Sequence, residues 1–197
     1  MITIEYIAKL RTAVRERQNP RRFEHTLGVA YTAACMAFLC GVEPLKAELA
    51  GILHDCAKCY SDAELVNMCE KAGITLSDAV LASPAVIHPI YGRYMAAHEF
   101  GISDPDILNA IEFHTTGRPA MSTLEKIIFT ADFIEPLRDR AANLPEARKL
   151  AFTDLDECMY NILGSTVDYL NGRGLAIVPD TLDAYKYYKD IHNRKGL

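Results

Sequence analysis

A chain of 197 residues with 50% hydrophobic and 24% charged side chains carries enough apolar surface for one compact domain, and its 11 Gly and 9 Pro exclude collagen-like, linker-like or disordered character. The longest apolar run, around residues 33–42, falls short of the roughly 18 residues a bilayer span needs, so no membrane association is expected. Lys and Arg number 21 against 26 Asp and Glu, and a net charge of −5 excludes a general affinity for nucleic acid or anionic membrane; an anionic substrate has to be met by locally placed cations.

The first residues, ITIEYIAKLRTAVRERQNPRR, break into charge every few positions. No secretory signal is read there, a cytoplasmic protein is expected, and the six cysteines are expected as reduced thiols. Cys35, Cys40 and Cys69 have apolar neighbours and are expected in the core.

Punctuation along the chain marks a succession of helices. Thr3 caps a first segment with Ile4, Ile7, Leu10 and Val14 on one stripe, ending before Asn19-Pro20. A second runs from about Arg22 to Cys40 and stops at Gly41; Pro44 opens a third that leads into His54 and Asp55. Ser61 and Glu64 have capping-box spacing for a helix that closes at Gly73. Ser83-Pro84 and His88-Pro89 act as breaks before a helix from about Pro89 to Gly101. Asp104-Pro105 opens the next, which carries His114, and Ser122 with Glu125 starts a helix that Pro136 ends. A long helix from about Pro145 to Tyr169 and a shorter one from about Thr181 finish the chain. The apolar run Leu175 to Val178, between Gly174 and Pro179, is expected as an ordered loop. The expectation is an all-α globule of about nine helices, a single domain over residues 1–197.

One placement conflicts with simple packing. Asp132 lies inside IIFTADFI, and His54-Asp55 ends AGILHD, so two apolar helices each bring a carboxylate toward the core. An unpaired buried carboxylate costs several kcal/mol, and a bound metal would resolve both cases. His25, His88 and His114 each lie on or beside a predicted helix, whereas His98 and His192 have polar or terminal flanks.

The ordered set of His25, His54-Asp55 and Asp132, with His88 and His114 between, resembles the HD-domain metal-dependent phosphohydrolases, whose pattern is a histidine, a His-Asp pair and a distant aspartate on separate helices. The phrases RRFEHTLGVA, AELAGILHDCAK, HPIYG, IEFHTTGRP and KIIFTADFIEPLR are similar, in the same order, to those of the YqeK family of HD proteins. The resemblance implies an HD-type helical bundle with its metal-binding core at about 21–138 and C-terminal helices at 139–197. It also implies symmetrical hydrolysis of diadenosine tetraphosphate to two ADP, with iron as the favoured metal.

Carried over by position, the resemblance makes His25, His54, Asp55 and Asp132 the metal ligands. A nitrogen and carboxylate donor set without thiolate suits Fe, Mn or Zn. The metal would lower the pKa of a bound water and polarise a phosphoryl oxygen. Arg22, Lys58 and Arg138 are the local cations expected to meet the phosphates, Arg through its two-pronged donor geometry. His88 and His114 either complete a second metal site bridged by Asp55 or contact phosphate and protonate the leaving ADP; one metal with phosphate contact is favoured. Asp55, Lys58, His88 and His114 are thus the catalytic candidates. Thr115 adds a donor, and the segment Leu175, Ala176, Ile177, Val178, Pro179 and Asp180 is expected to cover the nucleotide. Cys56 and Cys59 form a lone CxxC with no second pair, and Tyr185, Tyr187 and Tyr188 read as packing on a terminal helix. Alternatives are another HD activity on mononucleotides or cyclic nucleotides, or a nucleotide-binding regulator without turnover. Composition suits a monomer or a homodimer equally.

Overall fold

Residues 2–196 are described by a computed structural model. Short polar side chains set the start of most helices. Thr3 accepts from the Tyr6 amide to open α1 (Ile4–Arg17), Asn19 from the Arg22 amide to open α2 (Pro20–Cys40), and Glu43 from two amides to open α3 (Pro44–Leu53). Ser61 and Glu64 form a reciprocal capping box on α4 (Asp62–Lys71), followed by the single turn α5 (Asp78–Leu81) and a 3-10 turn at Pro84–Val86. Next come α6 (Ile87–His98), α7 (Pro105–Phe113) and α8 (Thr123–Ile134), the last with a second capping box from Ser122 and Glu125. The chain closes with α9 (Leu144–Leu150), α10 (Leu155–Gly172) and α11 (Pro179–Lys195). No strand occurs among the described residues, and the fold is all-α.

Three boundaries differ from the sequence expectation, each for a local reason. His88-Pro89 does not break the chain: α6 begins at Ile87, and Pro89 sits in its first turn, where a missing N–H leaves no helical bond unmade. The expected long helix from Pro145 to Tyr169 is two helices, because Asp154 caps α10 by accepting from the Glu157 amide at 3.1 Å. The loop at 175–178 is present, but Pro179 and Asp180 belong to the first turn of α11.

A single apolar cluster runs from Ile7 in α1 to Tyr188 in α11, and α2 is central to it, packing on α1, α3 and α8. By length and composition α2 is also the one helix among the described residues apolar enough to cross a membrane, although its unbroken apolar run is short. Its inner face is spent on the core through Val29, Ala30, Ala33, Met36 and Ala37. Its outer face leaves Tyr31, Phe38 and Leu39 exposed, and Cys35 on that face is exposed as well. Of the three cysteines expected in the core only Cys69 is buried; Cys40, at the last turn of α2, is half-buried. The terminal tyrosines do pack: Tyr188 is buried with its hydroxyl accepting from the Met121 amide, and Tyr185 stacks on Tyr160.

The approach of α3 to α2 depends on Gly51. A Cβ there would stand 2.6 Å from the Cα of Ala30, so only glycine lets the two backbones touch. The contact lies three residues before His54 and fixes how far that histidine reaches toward α2. Gly51→Ala is expected to lower unfolding free energy by about 1–3 kcal/mol, the usual range for forced overpacking, and a denaturant titration checks it; a loss below about 0.5 kcal/mol would refute the close crossing.

Candidate metal centre

Five helices and the turns at their ends deliver six chemical groups to one place. His25 comes from the second turn of α2, His54 and Asp55 from the end of α3, His88 from the first turn of α6, His114 from the end of α7 and Asp132 from the last turn of α8. All five of the first-named residues are buried; Asp132 is not, its side chain keeping 21% of its surface exposed at the mouth of the site. The expectation of a carboxylate sunk in the core therefore holds for Asp55 and is corrected for Asp132, because α8 turns this residue to the open end while its neighbours Ala131 and Ile134 face inward.

The two oxygens of Asp55 divide the cluster. Oδ2 lies 3.8 Å from His25 Nε2, 3.5 Å from His54 Nε2 and 2.7 Å from Arg22 Nη1. Oδ1 lies 3.1 Å from His88 Nε2 and 3.6 Å from His114 Nε2. Asp132 Oδ1 closes the first group, 3.1 Å from His25 Nε2 and 4.0 Å from His54 Nε2, and pairs with Arg138 Nη2 at 2.6 Å.

The donor geometry fits a metal in that first group. His25 Nε2 and His54 Nε2 are buried and make no hydrogen bond, a costly state for an imidazole unless something else takes the lone pair. Their other nitrogens are fixed: His54 Nδ1 donates to the Gly51 carbonyl at 2.6 Å, and His25 Nδ1 to Glu135 Oε1 at 3.0 Å. Both Nε2 lone pairs therefore face the carboxylates, the arrangement seen in metal-bound histidines. Ligands about 2.1 Å from one ion stand from about 3.0 Å apart when cis to about 4.2 Å when trans, and the separations within the group, from 3.1 to 4.0 Å, fall inside that range.

His88 is set differently from the other three. Lys58 donates to His88 Nδ1 at 2.9 Å, which places the ring proton on Nε2, facing Asp55 Oδ1 and, at 3.3 Å, His114 Nε2. His114 Nδ1 donates to the Ile111 carbonyl at 2.7 Å, leaving its Nε2 as an acceptor. Asp55, His88 and His114 are close enough to hold an ion of their own, but His88 meets that position with a proton.

Electrostatics follow from burial and partners. Burial alone would raise the Asp55 carboxyl, yet the surrounding His54, His114 and His88 hold it well below the usual range. Asp132 is likewise lowered, burial being outweighed by His25, His54 and Arg138. Burial, offset only in part by Asp55, pushes the His88 imidazole down to about 4, so the ring is neutral near pH 7. Burial would lower His25 too, but Asp132 and Glu135 reverse the sign. Burial also brings the Lys58 ammonium below its ordinary value.

The remaining sequence candidates fall around this centre. Thr115 lines an apolar cavity of about 340 Å³ together with Val86, Leu170, Leu175, Ala176 and Val178. Ser83 donates to the Ala176 carbonyl at 3.1 Å, tying the 175–178 loop across that cavity to the segment before α6. Ile177, Pro179 and Asp180 are not on its lining. His98, stacked on Tyr94, and His192, bonded to Glu157, stand apart, and neither Cys56 nor Cys59 joins the cluster: Cys56 donates to the Gly92 carbonyl and Cys59 to that of Cys56.

Three contributors escaped the sequence reading. Glu135 is buried, orients His25 and accepts from the Leu137 amide; Gly28 makes room for it, since a Cβ there would lie 2.6 Å from its Oε2. Arg148 donates to the carbonyls of Ile134, Glu135 and Arg138, fixing the turn that carries both Glu135 and Arg138. Gln18 donates to the Asp55 carbonyl and accepts from Thr26. None of the three carried a local signal, since each acts on residues distant in sequence: Glu135 on His25, Arg148 on the turn after α8 and Gln18 on Asp55.

An all-helical bundle that gathers His, His-Asp and Asp from separate helices defines a class, and residues 22–137 match the HD domain: the chain belongs to the HD-domain family. Its resemblance to the YqeK family extends over nearly the whole chain. It is 40% identical over 172 residues to a protein of Halalkalibacterium halodurans named bis(5'-nucleosyl)-tetraphosphatase, symmetrical, covering 87% of this chain and 91% of the relative. A protein of the same name from Bacillus subtilis is 38% identical, with 88% and 92% covered. A crystal structure from Clostridium acetobutylicum, described as a predicted HD superfamily hydrolase involved in NAD metabolism, superposes with a TM-score of 0.89 at 36% identity, covering 93% of this chain and 96% of that one.

If Glu135 orients His25, Glu135→Ala is expected to weaken metal binding about 10–100-fold while the protein stays folded, as measured by competition with a chelator of known affinity. Affinity within twofold of the original would show that the carboxylate has no such role.

Proposed function

We propose that the protein hydrolyses dinucleoside tetraphosphates symmetrically, taking diadenosine tetraphosphate to two ADP. The observation that carries this is the pair of unpartnered imidazole nitrogens aimed at two carboxylates, beside an apolar cavity of nucleoside size. The names of the relatives from Halalkalibacterium halodurans and Bacillus subtilis support the substrate.

His25, His54, Asp55 and Asp132 would hold one divalent ion, iron first, with manganese and zinc also compatible with the donor set. Such an ion supplies a lowered pKa for a water and withdraws charge from a phosphoryl oxygen. In the overall reaction a water oxygen adds to one of the two central phosphorus atoms, the bridging P–O bond breaks, and each half leaves as ADP. Arg22 and Arg138, already lying against Asp55 and Asp132, are placed to take the non-bridging oxygens. Lys58 holds the His88 proton at Nε2, where it can pass to the departing bridging oxygen as Lys58 delivers a proton to Nδ1, so that the ring stays neutral and the lysine is the net donor; His114 accepts from His88 in the resting state. The Thr115-lined cavity, closed by the 175–178 loop, takes one nucleoside.

Metal-loaded protein is expected to release ADP as the sole nucleotide product; AMP with ATP, or no product, would refute the assignment. Elemental analysis is a separate check on the ligands. Asp55→Ala and Asp132→Ala are expected to lose most of the bound metal, and unchanged metal content in both would remove them from the ligand set.

A further inference from the structure

A second hollow opens off the centre, with chemistry unlike that of the apolar cavity. Two adjoining cavities of about 270 and 340 Å³ share Arg21, Leu137 and Arg138 in their walls; His25 opens into one and Asp132 into the other. Neither shares a residue with the cavity at Thr115. The apolar cavity is walled by Thr115, the residue after His114, whose ring faces Asp55 Oδ1, whereas His25, on the wall of the other hollow, faces Asp55 Oδ2.

Its cations are in excess of what the fold uses. Arg22 and Arg138 are engaged by Asp55 and Asp132. Arg21 has no ion-pair partner among the described residues, and Arg140 has only its exposed neighbour Asp139 at 3.7 Å. Arg21 also stands in the first turn of α2, which carries no acid, where the helix dipole disfavours a cation and favours an anion. Its apolar wall is the exposed Leu137, the half-buried Phe133 and the small Ala141, which make no enclosed slot for a base.

A substrate cut at its midpoint has two equal halves, and one apolar cavity accounts for one of them. We infer that Arg21 and Arg140 form a second subsite, which binds the phosphates of the half not seated in the apolar cavity; this rests on the proposed activity and assigns the residues that complete its substrate site. The guanidinium forks recognise the two phosphates of that half, and its nucleoside lies over Leu137 without a pocket.

The test is steady-state kinetics on diadenosine tetraphosphate with metal-loaded protein, alongside equilibrium titration of ADP, whose nucleoside the Thr115-lined cavity takes. Arg21 and Arg140 are exposed, so their replacement leaves the core intact. The double variant Arg21→Ala, Arg140→Ala is expected to raise KM about tenfold or more while kcat stays within about threefold and ADP affinity within about twofold. Arg21→Lys with Arg140→Lys is expected to recover most of the loss. A KM within twofold of the original, or ADP affinity falling in step with KM, overturns the subsite while leaving the activity in place. Wild-type protein that releases no ADP overturns the activity and the subsite with it.

Discussion

Everything in the site is arranged around one buried carboxylate. Asp55 loses nearly all its contact with water, a position that costs several kcal/mol for a charge without partners. The fold answers with the Arg22 guanidinium on one oxygen and the His88 ring proton on the other, and the lone pairs of His25 and His54 stand beside the carboxylate where a cation would be shared; no single helix supplies more than a part of this. That requirement dictates the architecture: α2, α3, α6 and α7 must end or begin within reach of one atom pair. The Gly51 crossing, the Glu135 bond to His25 and the Gln18 bond to the Asp55 backbone are the means by which independent helices are held to that tolerance. The same tolerance suits chemistry, since a site built on helix ends is stiffer than one built on loops.

What was legible in the sequence follows from range. The capping boxes at Ser61 and Ser122 and the proline starts of α3 and α7 are decided within four residues, and they stand where the spacing put them. The break between α9 and α10 was equally local, signalled by Asp154 and Glu157, but the apolar periodicity through it read as continuous helix. The ligand candidates were legible as a set because acids and histidines on apolar helices need an explanation. Glu135 was not, because its reason for being buried stands 110 positions away at His25. Asp132 misled for a related cause: its neighbours in sequence are core residues, and only the packing of α8 shows that its own side chain faces the mouth.

Charge, read as a total, concealed the distribution that matters. The chain is acidic by five charges, and that balance argues against polyanions at large. Around the centre the balance is reversed, with Arg21, Arg22, Lys58, Arg138 and Arg140 gathered near Asp55, Asp132, Glu135 and Asp139, of which a divalent ion would also claim the first two. Selectivity then comes from position: a polyphosphate meets a concentrated field only when it is short enough to lie across the centre.

The four histidines divide into donors of lone pairs and a holder of a proton, and the division is made by what stands behind each ring. A carbonyl behind His54 and His114 and a carboxylate behind His25 all accept from Nδ1, so Nε2 in each presents a lone pair to the centre. Behind His88 stands an ammonium, which can only donate, so its Nε2 presents a proton. Burial keeps that ring neutral near pH 7, so its Nε2 proton can leave only as Lys58 delivers one to Nδ1, which relays the lysine proton through the ring. A second ion at Asp55, His88 and His114 would require that proton to be expelled against the lysine, whereas a departing phosphate oxygen would accept it. The same constellation that sequence alone leaves open between a second metal and a proton donor is therefore weighted toward the donor by one residue three positions after Asp55.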